Sequence, residues 1–438
     1  MQVKVRFLIF LLVITPRLWG QEVLSLKECL DAGLHNNYSL QLLRLQESTA
    51  RNDNTPGNAG KLPTVNLNMP YSGSWLTTER WLREGGSSGA DASLNQSLNP
   101  NVSLSWALFE GYAARFTSEK LRLQYDAAQL QTRKGVEEYT SGLIAEYYTL
   151  LYQLLQLANM KSSVALSNQR VQIVRDRYLL GSGSKLDLLQ AQVDLNVDSS
   201  KLVSLYETVA STRIRLREMM ADDRLDLLFM PADTVIPVNK QLSSDSLMAQ
   251  MSRNNVMLLA VKYQRLVSEA DYAVIRSVSY PYVRANASIG SQMSGYSKGV
   301  TERQLVVGPS FGVSMGLTLY DGLNQRRRIR NAQTLLEQRE VMIKETELAL
   351  KADLLRFYTA YTNNIYLLDL ETENIRVAKE NLDIARERYM LGDLAGIEMR
   401  EAQQQWLDAL QRRILVNYQA KLAEISLCQL AGQLTLYL

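Results

Sequence analysis

The chain carries the same text twice, and that duplication limits what it can fold into more than any other feature. Val102-Ser-Leu-Ser-Trp-Ala-Leu-Phe-Glu-Gly111 aligns with Val313-Ser-Met-Gly-Leu-Thr-Leu-Tyr-Asp-Gly322, and Arg177-Tyr-Leu-Leu-Gly181 aligns with Arg388-Tyr-Met-Leu-Gly392, at one offset of 211 positions. Upstream, Asn36-Asn37 matches Asn254-Asn255 and Leu62-Pro63 matches Tyr280-Pro281, at an offset of 218. The difference of seven residues falls between Pro63 and Val102, where the Gly/Ser-rich stretch at 85–89 predicts a loop.

Each copy repeats one order of parts. A short amphipathic helix is expected to begin at Ser25 in the first copy and at Ser243 or Ser244 in the second. A strand pair follows, about 62–110 and about 280–320. Phe311, Val313, Met315, Leu317 and Leu319 alternate with Gly312, Ser314, Gly316 and Thr318, and Val102, Leu104, Trp106 and Leu108 alternate with Ser103, Ser105 and Ala107. That is the period-two pattern of a strand with one apolar face and one small or polar face.

Past Gly111 and Gly322 the period lengthens to about three and a half. Val136, Tyr139, Leu143, Tyr147, Leu150, Leu154 and Leu157 carry it in the first copy, and Leu350, Leu354, Tyr358, Tyr361, Ile365 and Leu368 in the second. This is coiled-coil spacing. The Pro-free stretch from Tyr112 to Leu180 would reach ~100 Å as a helix at ~1.5 Å per residue. Long helical hairpins are therefore expected over about 112–220 and about 322–431. The boundaries follow as a leader at 1–20, a first repeat at 21–221, a connector at 222–244 with Pro231 and Pro237, and a second repeat at 245–438.

The leader has Lys4 and Arg6, an apolar run from Phe7 to Ile14, Pro16 and then Gly20. It reads as a secretory signal, too short to span a bilayer. Without its three basic residues the remainder balances at 45 basic and 45 acidic groups, which leaves no electrostatic footprint for nucleic acid. One His and two Cys supply no zinc ribbon or imidazole-dependent triad, so no cofactor, metal or catalytic constellation is expected. An exported chain without an apolar span of 18 residues is either soluble outside the cytoplasm or inserts as a β-barrel. The outward Val, Phe, Met, Leu and Trp favour the barrel. Four strands cannot close one, since about eight are the minimum, so several chains must share it.

The two strands ending at Gly111 and Gly322, the motifs ending at Gly181 and Gly392, and the Leu-Asp-Leu-Leu-Gln-Ala-Gln192 that follows the first resemble, in this order and in tandem, the TolC family of outer-membrane efflux proteins. The resemblance covers essentially the whole chain after the leader. It implies an α/β membrane protein, a homotrimer in which each protomer gives four strands to one 12-stranded outer-membrane barrel continued by an α-helical periplasmic tunnel, with the connector in an equatorial belt. It implies a passive, non-enzymatic exit duct for a tripartite efflux or type I secretion system, with a periplasmic membrane-fusion adaptor and an inner-membrane pump as partners.

The resemblance further implies adaptor-contacting tips at Arg177, Tyr178, Gly181 and Ser184 and at Arg388, Tyr389 and Gly392. Gly at a helix reversal is also what a purely structural hairpin needs. A periplasmic gate is implied at Tyr389, with Asp187 as its partner carboxylate and Glu398 and Glu401 as acidic rings. Leu394 stands where some members carry a gate arginine. Glu398 and Glu401, three apart on a helix, equally suit a solvated face. Cys29 and Cys428 either bridge the chain ends or stay free in apolar surroundings, and His35 reads as a surface or cap residue. The alternative to the channel is a periplasmic coiled-coil scaffold or adaptor with an open sheet.

Overall fold

The computed structural model describes residues 22–434 apart from 82, 84 and 299, so the leader lies outside the described residues. The first copy runs β1 (Glu22–Leu24), α1 (Leu26–Asn36), α2 (Tyr38–Asp53), β2 (Thr64–Asn68), β3 (Tyr71–Trp81), β4 (Ser87–Leu98), β5 (Asn101–Glu110), α3 (Ala113–Leu179) and α4 (Lys185–Met219). After β6 (Phe229–Pro231) the second copy runs α5 (Ser244–Asn254), α6 (Val256–Ser277), β7 (Tyr282–Tyr296), β8 (Arg303–Gly316), α7 (Asn324–Leu391) and α8 (Gly396–Ala431). Ser25 starts α1 by accepting the Glu28 amide on its hydroxyl while the Glu28 carboxylate takes the Ser25 amide, a reciprocal cap.

The chain forms two compact units, and each draws residues from both copies: one from 22–38, 137–247 and 354–434, the other from 39–136 and 248–353. Compactness therefore does not follow the repeat boundaries of 21–221 and 245–438.

In the second unit the strands form one open antiparallel sheet. Pro70 and Pro100 lack the amide a ladder needs, so β2 and β3 are two halves of one path and β4 and β5 of another. The breaks are stitched by Asn99 donating to the Pro70 carbonyl at 2.9 Å and Ser291 donating to that of Pro100 at 3.0 Å. The sheet thus has four paths, in the order β2/β3, β4/β5, β7, β8, and its two outer edges have no partner among the described residues.

The register sorts the side chains cleanly. Leu67, Val102, Ile289 and Pro309 form one cross-strand row, and Val65, Leu104, Ala287 and Phe311 form the next on the same face. The opposite face carries Asn66, Ser103, Ser288 and Ser310, then Thr64, Ser105, Asn286 and Gly312. Phe311 is 92% exposed, so nothing among the described residues covers it on the apolar face. One feature departs from expectation. The connections at 82–86 and 297–302 are of similar length, and Gly89 lies in β4, so the seven extra residues of the first copy lengthen its proline-broken strands rather than a loop.

In the first unit the heptad stripe is the core. Leu143, Tyr147, Leu150 and Leu354 are fully buried, with Tyr361 nearly so. The chain start and the connector add a short parallel pair, β1 with β6. Beside it Arg217, fully buried, donates to Glu22 at 2.9 Å and to the Leu227 carbonyl at 2.8 Å, is paired with Asp222, and lies 5.3 Å from the Phe229 ring centroid. Hydrogen bonds from Arg224, and the charge of Arg217, outweigh burial and hold the Asp222 carboxyl down at about 2. Cys29 and Cys428 are buried in the same core and are both free. His35 is exposed, its Nδ1 2.8 Å from the Asp31 carbonyl near the end of α1.

Replacing Arg217 by Met removes the buried partner of Asp222 and Glu22 but leaves both with Arg224, and is expected to cost about 1.5–3 kcal/mol. Because the folded Asp222 titrates below its unfolded range, its stabilisation is present above pH ~4 and is lost as pH falls toward ~2. Asp222→Asn is expected to flatten that acid limb, read by circular dichroism of the detergent-solubilised protein.

Candidate functional site

The two helix reversals of the first unit are built alike. At the end of α3, Gly181 takes φ +79°, its amide reaches the Tyr178 carbonyl and the Ser182 amide reaches that of Arg177. At the end of α7, Gly392 takes φ +86°, with Gly392 bonded to Tyr389 and Asp393 to Arg388. Both are Schellman caps, which need a residue at ease with positive φ. Ser184 then opens α4 by accepting the Leu186 and Asp187 amides at 3.0 and 3.3 Å. Its counterpart Ala395 has no such oxygen, and α8 is capped instead by Glu398, whose carboxylate accepts the Ala395 amide at 3.3 Å.

Within this symmetry the two arginines part company. Arg388 turns onto Asp393, Nη2 to Oδ2 at 3.1 Å. The residue equivalent to Asp393 is Ser182, which offers Arg177 no charge. Arg177 lies instead over the Tyr389 ring, 4.5 Å from its centroid, and donates to the Tyr389 carbonyl. Tyr389 is 4% exposed, packed with Val171, Val174 and Ala191, whereas its equivalent Tyr178 is 40% exposed. One tyrosine is thus clasped across the two hairpins and the other faces solvent.

The structure brings together only some of the residues singled out in the sequence. Arg177 and Tyr389 meet. Asp187 and Glu398, equivalent third residues of α4 and α8, are both exposed, as is Glu401 one turn further along α8. Among the described residues no hydrogen bond joins Asp187 to Tyr389.

A second polar group, a few turns from the tips, had not been anticipated. Asp198 on α4 is buried and accepts Arg400 of α8 through both carboxylate oxygens at 3.0 Å, with Ser163 and Ser167 of α3 adding hydroxyl donors. Burial alone would raise the Asp198 pKa, but the hydrogen bonds from Arg400 and Ser167 hold it below the ordinary value. Arg170 pairs with Asp194 nearby. The sequence does hold a signal for this clasp. Asp198 is equivalent to Ala409 and Arg400 to Leu189, so charge stands where the other copy is apolar.

The sequence pattern of the outer membrane efflux protein family matches residues 30–222 and 247–433. The chain belongs to that family. A curated relative, Protein CyaE of Bordetella pertussis, is 23% identical over 347 residues, 76% of this chain and 70% of the relative. Among solved structures, a membrane protein from Pseudomonas aeruginosa superposes with a TM-score of 0.78 at 15% identity, over 94% of this chain and 92% of the other. The outer membrane protein VceC of Vibrio cholerae gives 0.75 at 15% identity, over 93% and 96%. The Campylobacter jejuni CmeC outer membrane channel gives 0.78 at 16% identity, over 93% and 85%.

Membership in the outer membrane efflux family accounts for the unpartnered sheet. The chain is a protomer that gives four strands to a trimeric 12-stranded barrel in the outer membrane and long helices to a tunnel in the periplasm. It is an exit duct of the efflux or type I secretion kind, and the family is one of channels. The apolar rows on β2, β5, β7 and β8 face lipid, and the Asn, Ser, Thr and Gly rows line the lumen. A periplasmic scaffold with an open sheet would leave those apolar rows in water.

Asp198→Ala would leave Arg400 without its charge partner, and is expected to cost about 3–5 kcal/mol of packing between the hairpins. Hydrogen exchange along α4 and α8 should report it as lost protection. The double change Asp198→Ala with Arg400→Met should recover most of the loss.

Proposed function

We propose that the two hairpin tips are the working end of the duct, docking a periplasmic membrane-fusion adaptor that couples it to an inner-membrane pump, and that the clasp on Tyr389 is part of its gate. One observation carries the docking reading. Each Schellman turn is flanked by large apolar residues that the protomer does not cover: Leu180 is 83% and Leu391 84% exposed, with Leu186 and Ile397 exposed across the turns. Exposed apolar clusters at loop tips fit a protein partner. Threefold assembly would present six such tips in a ring. Arg177, Tyr178, Gly181 and Ser184, with Arg388, Tyr389 and Gly392, are the residues that shape them.

The gate reading rests on the asymmetry of the two arginines. With Arg177 on its ring, Tyr389 pins the second hairpin against the first, and swinging that hairpin outward requires the contact to break. Asp187, Glu398 and Glu401 stand exposed on the first turns of the helices that follow the tips. Trimer symmetry would make each of them three carboxylates around one axis, attracting cations. No covalent step is assigned to any residue, and the energy for transport comes from the pump.

Leu180→Asp together with Leu391→Asp is expected to abolish adaptor cross-linking and export while leaving bilayer conductance intact. Undiminished export would remove the tips from the docking surface.

Ser182→Asp places beside Arg177 the carboxylate that holds Arg388 in the other tip. It is expected to draw Arg177 off Tyr389 and raise single-channel conductance, as Tyr389→Ala should do. Glu398→Lys or Glu401→Lys should shift the reversal potential toward anions, and an unmoved potential would take that carboxylate out of the pore lining.

A further inference from the structure

One end of the sheet carries a positive charge that the chain does not neutralise. The register places Glu110, Tyr282 and Gly316 at one level, the end at which β5 and β8 hand over to α3 and α7, while the strand ends Trp81, Ser87, Tyr296 and Arg303 lie at the other end. On the first two turns of α7 stand Arg326, Arg327, Arg328 and Arg330, all exposed. None of the four side chains has an ion pair or hydrogen bond among the described residues. Arg276, on the last turn of α6, is also exposed, and the Gln325 side chain donates to the carbonyl of its neighbour Ile275, so it joins the same collar.

The carboxylates at this level are already engaged. Asp321 caps α7 by accepting the Gln325 amide at 2.7 Å, Glu110 is held by Arg284 at 2.7 Å, and Glu119 by Arg122 at 2.6 Å. Four guanidinium groups within five residues repel one another and oppose the dipole of the helix they begin. The fold does not require them, because the equivalent residues of the first copy are Arg115, Phe116, Thr117 and Glu119.

The segment between sheet and arginines points to what balances the charge. Leu317, Leu319, Tyr320 and Leu323 are exposed and carry the apolar row of Phe311, Val313 and Met315 on toward α7. The guanidinium groups therefore follow directly on the lipid-facing belt, at the end from which the helices leave. We infer that this collar binds the phosphate headgroups of anionic phospholipids in the periplasmic leaflet of the outer membrane. The arginine stems lie along the acyl boundary and the guanidinium forks grip phosphate oxygens. The inference rests on the barrel reading of the sheet.

The test uses the full-chain protein, delipidated in detergent and titrated with phosphatidylglycerol or phosphatidylcholine while native mass spectrometry counts bound lipids. Phosphatidylglycerol should bind preferentially, with the preference falling about tenfold or more in the R326Q/R327Q/R328Q/R330Q variant. Equal binding of the two lipids by the unaltered protein, or an unchanged preference in the variant, overturns the inference. So does a variant whose preference is intact while its bilayer selectivity moves toward cations, since the arginines would then line the pore. Should the variant not assemble, the corresponding Arg→Lys variant should keep the preference, and added salt should abolish it in the unaltered protein. A preference indifferent to salt overturns the inference as well. A conducting channel without lipid preference defeats only the collar, whereas a protein that forms no channel defeats the barrel reading.

Discussion

An unpaired backbone amide in hydrocarbon costs several kcal/mol, and this constraint organises everything else in the molecule. The protomer's sheet ends on β2/β3 at one side and β8 at the other, and neither edge has a partner among the described residues. In water such edges invite aggregation. In a bilayer they are untenable unless other copies supply the missing ladder. Trimerisation is thus a condition for the strands to exist where their apolar rows place them.

The second organising fact is that the duplication is imperfect where the chemistry is. The two Schellman turns, the two tip tyrosines and the acidic third residues of α4 and α8 repeat faithfully. Ser182 against Asp393 does not, and that one difference decides whether an arginine is spent on its own turn or laid across a tyrosine of the other hairpin. Asp198 against Ala409 and Arg400 against Leu189 break the repeat together and form a single buried pair. A duplicated chain holds its own reference sequence, so departures between copies mark where the two halves have been given different tasks.

Much of this was legible before any coordinates. The offset of 211 fixed the order of parts, the period-two rows gave the lipid-facing face, and the heptad residues Leu143, Tyr147 and Leu354 proved to be the core. What escaped did so for physical reasons. The short helix expected at each repeat start is there as α1 and α5, but a second helix, α2 or α6, follows each after a single residue at Asn37 or Asn255, and that break between two helices went unread. β1 and β6 are three residues each and exist only because chain start and connector meet. Gly85 and Gly89 suggested one long loop, whereas Pro70 and Pro100 let the extra residues be absorbed into interrupted strands. The clasp of Arg177 on Tyr389 depends on two helices 212 positions apart, which no local pattern encodes.

The two cysteines have a practical consequence. Cys29 is wholly buried and Cys428 nearly so, and burial pushes their thiols up to about 12 and about 11. A thiolate is the reactive species, so near neutral pH neither side chain offers one to reagents in solvent. The folded protein thus behaves as a cysteine-free background. A single cysteine introduced at an exposed tip or lumen position would take a maleimide dye alone. Distances between copies of such a label would report the diameter of the tunnel mouth in real time, without removing a native residue from the core.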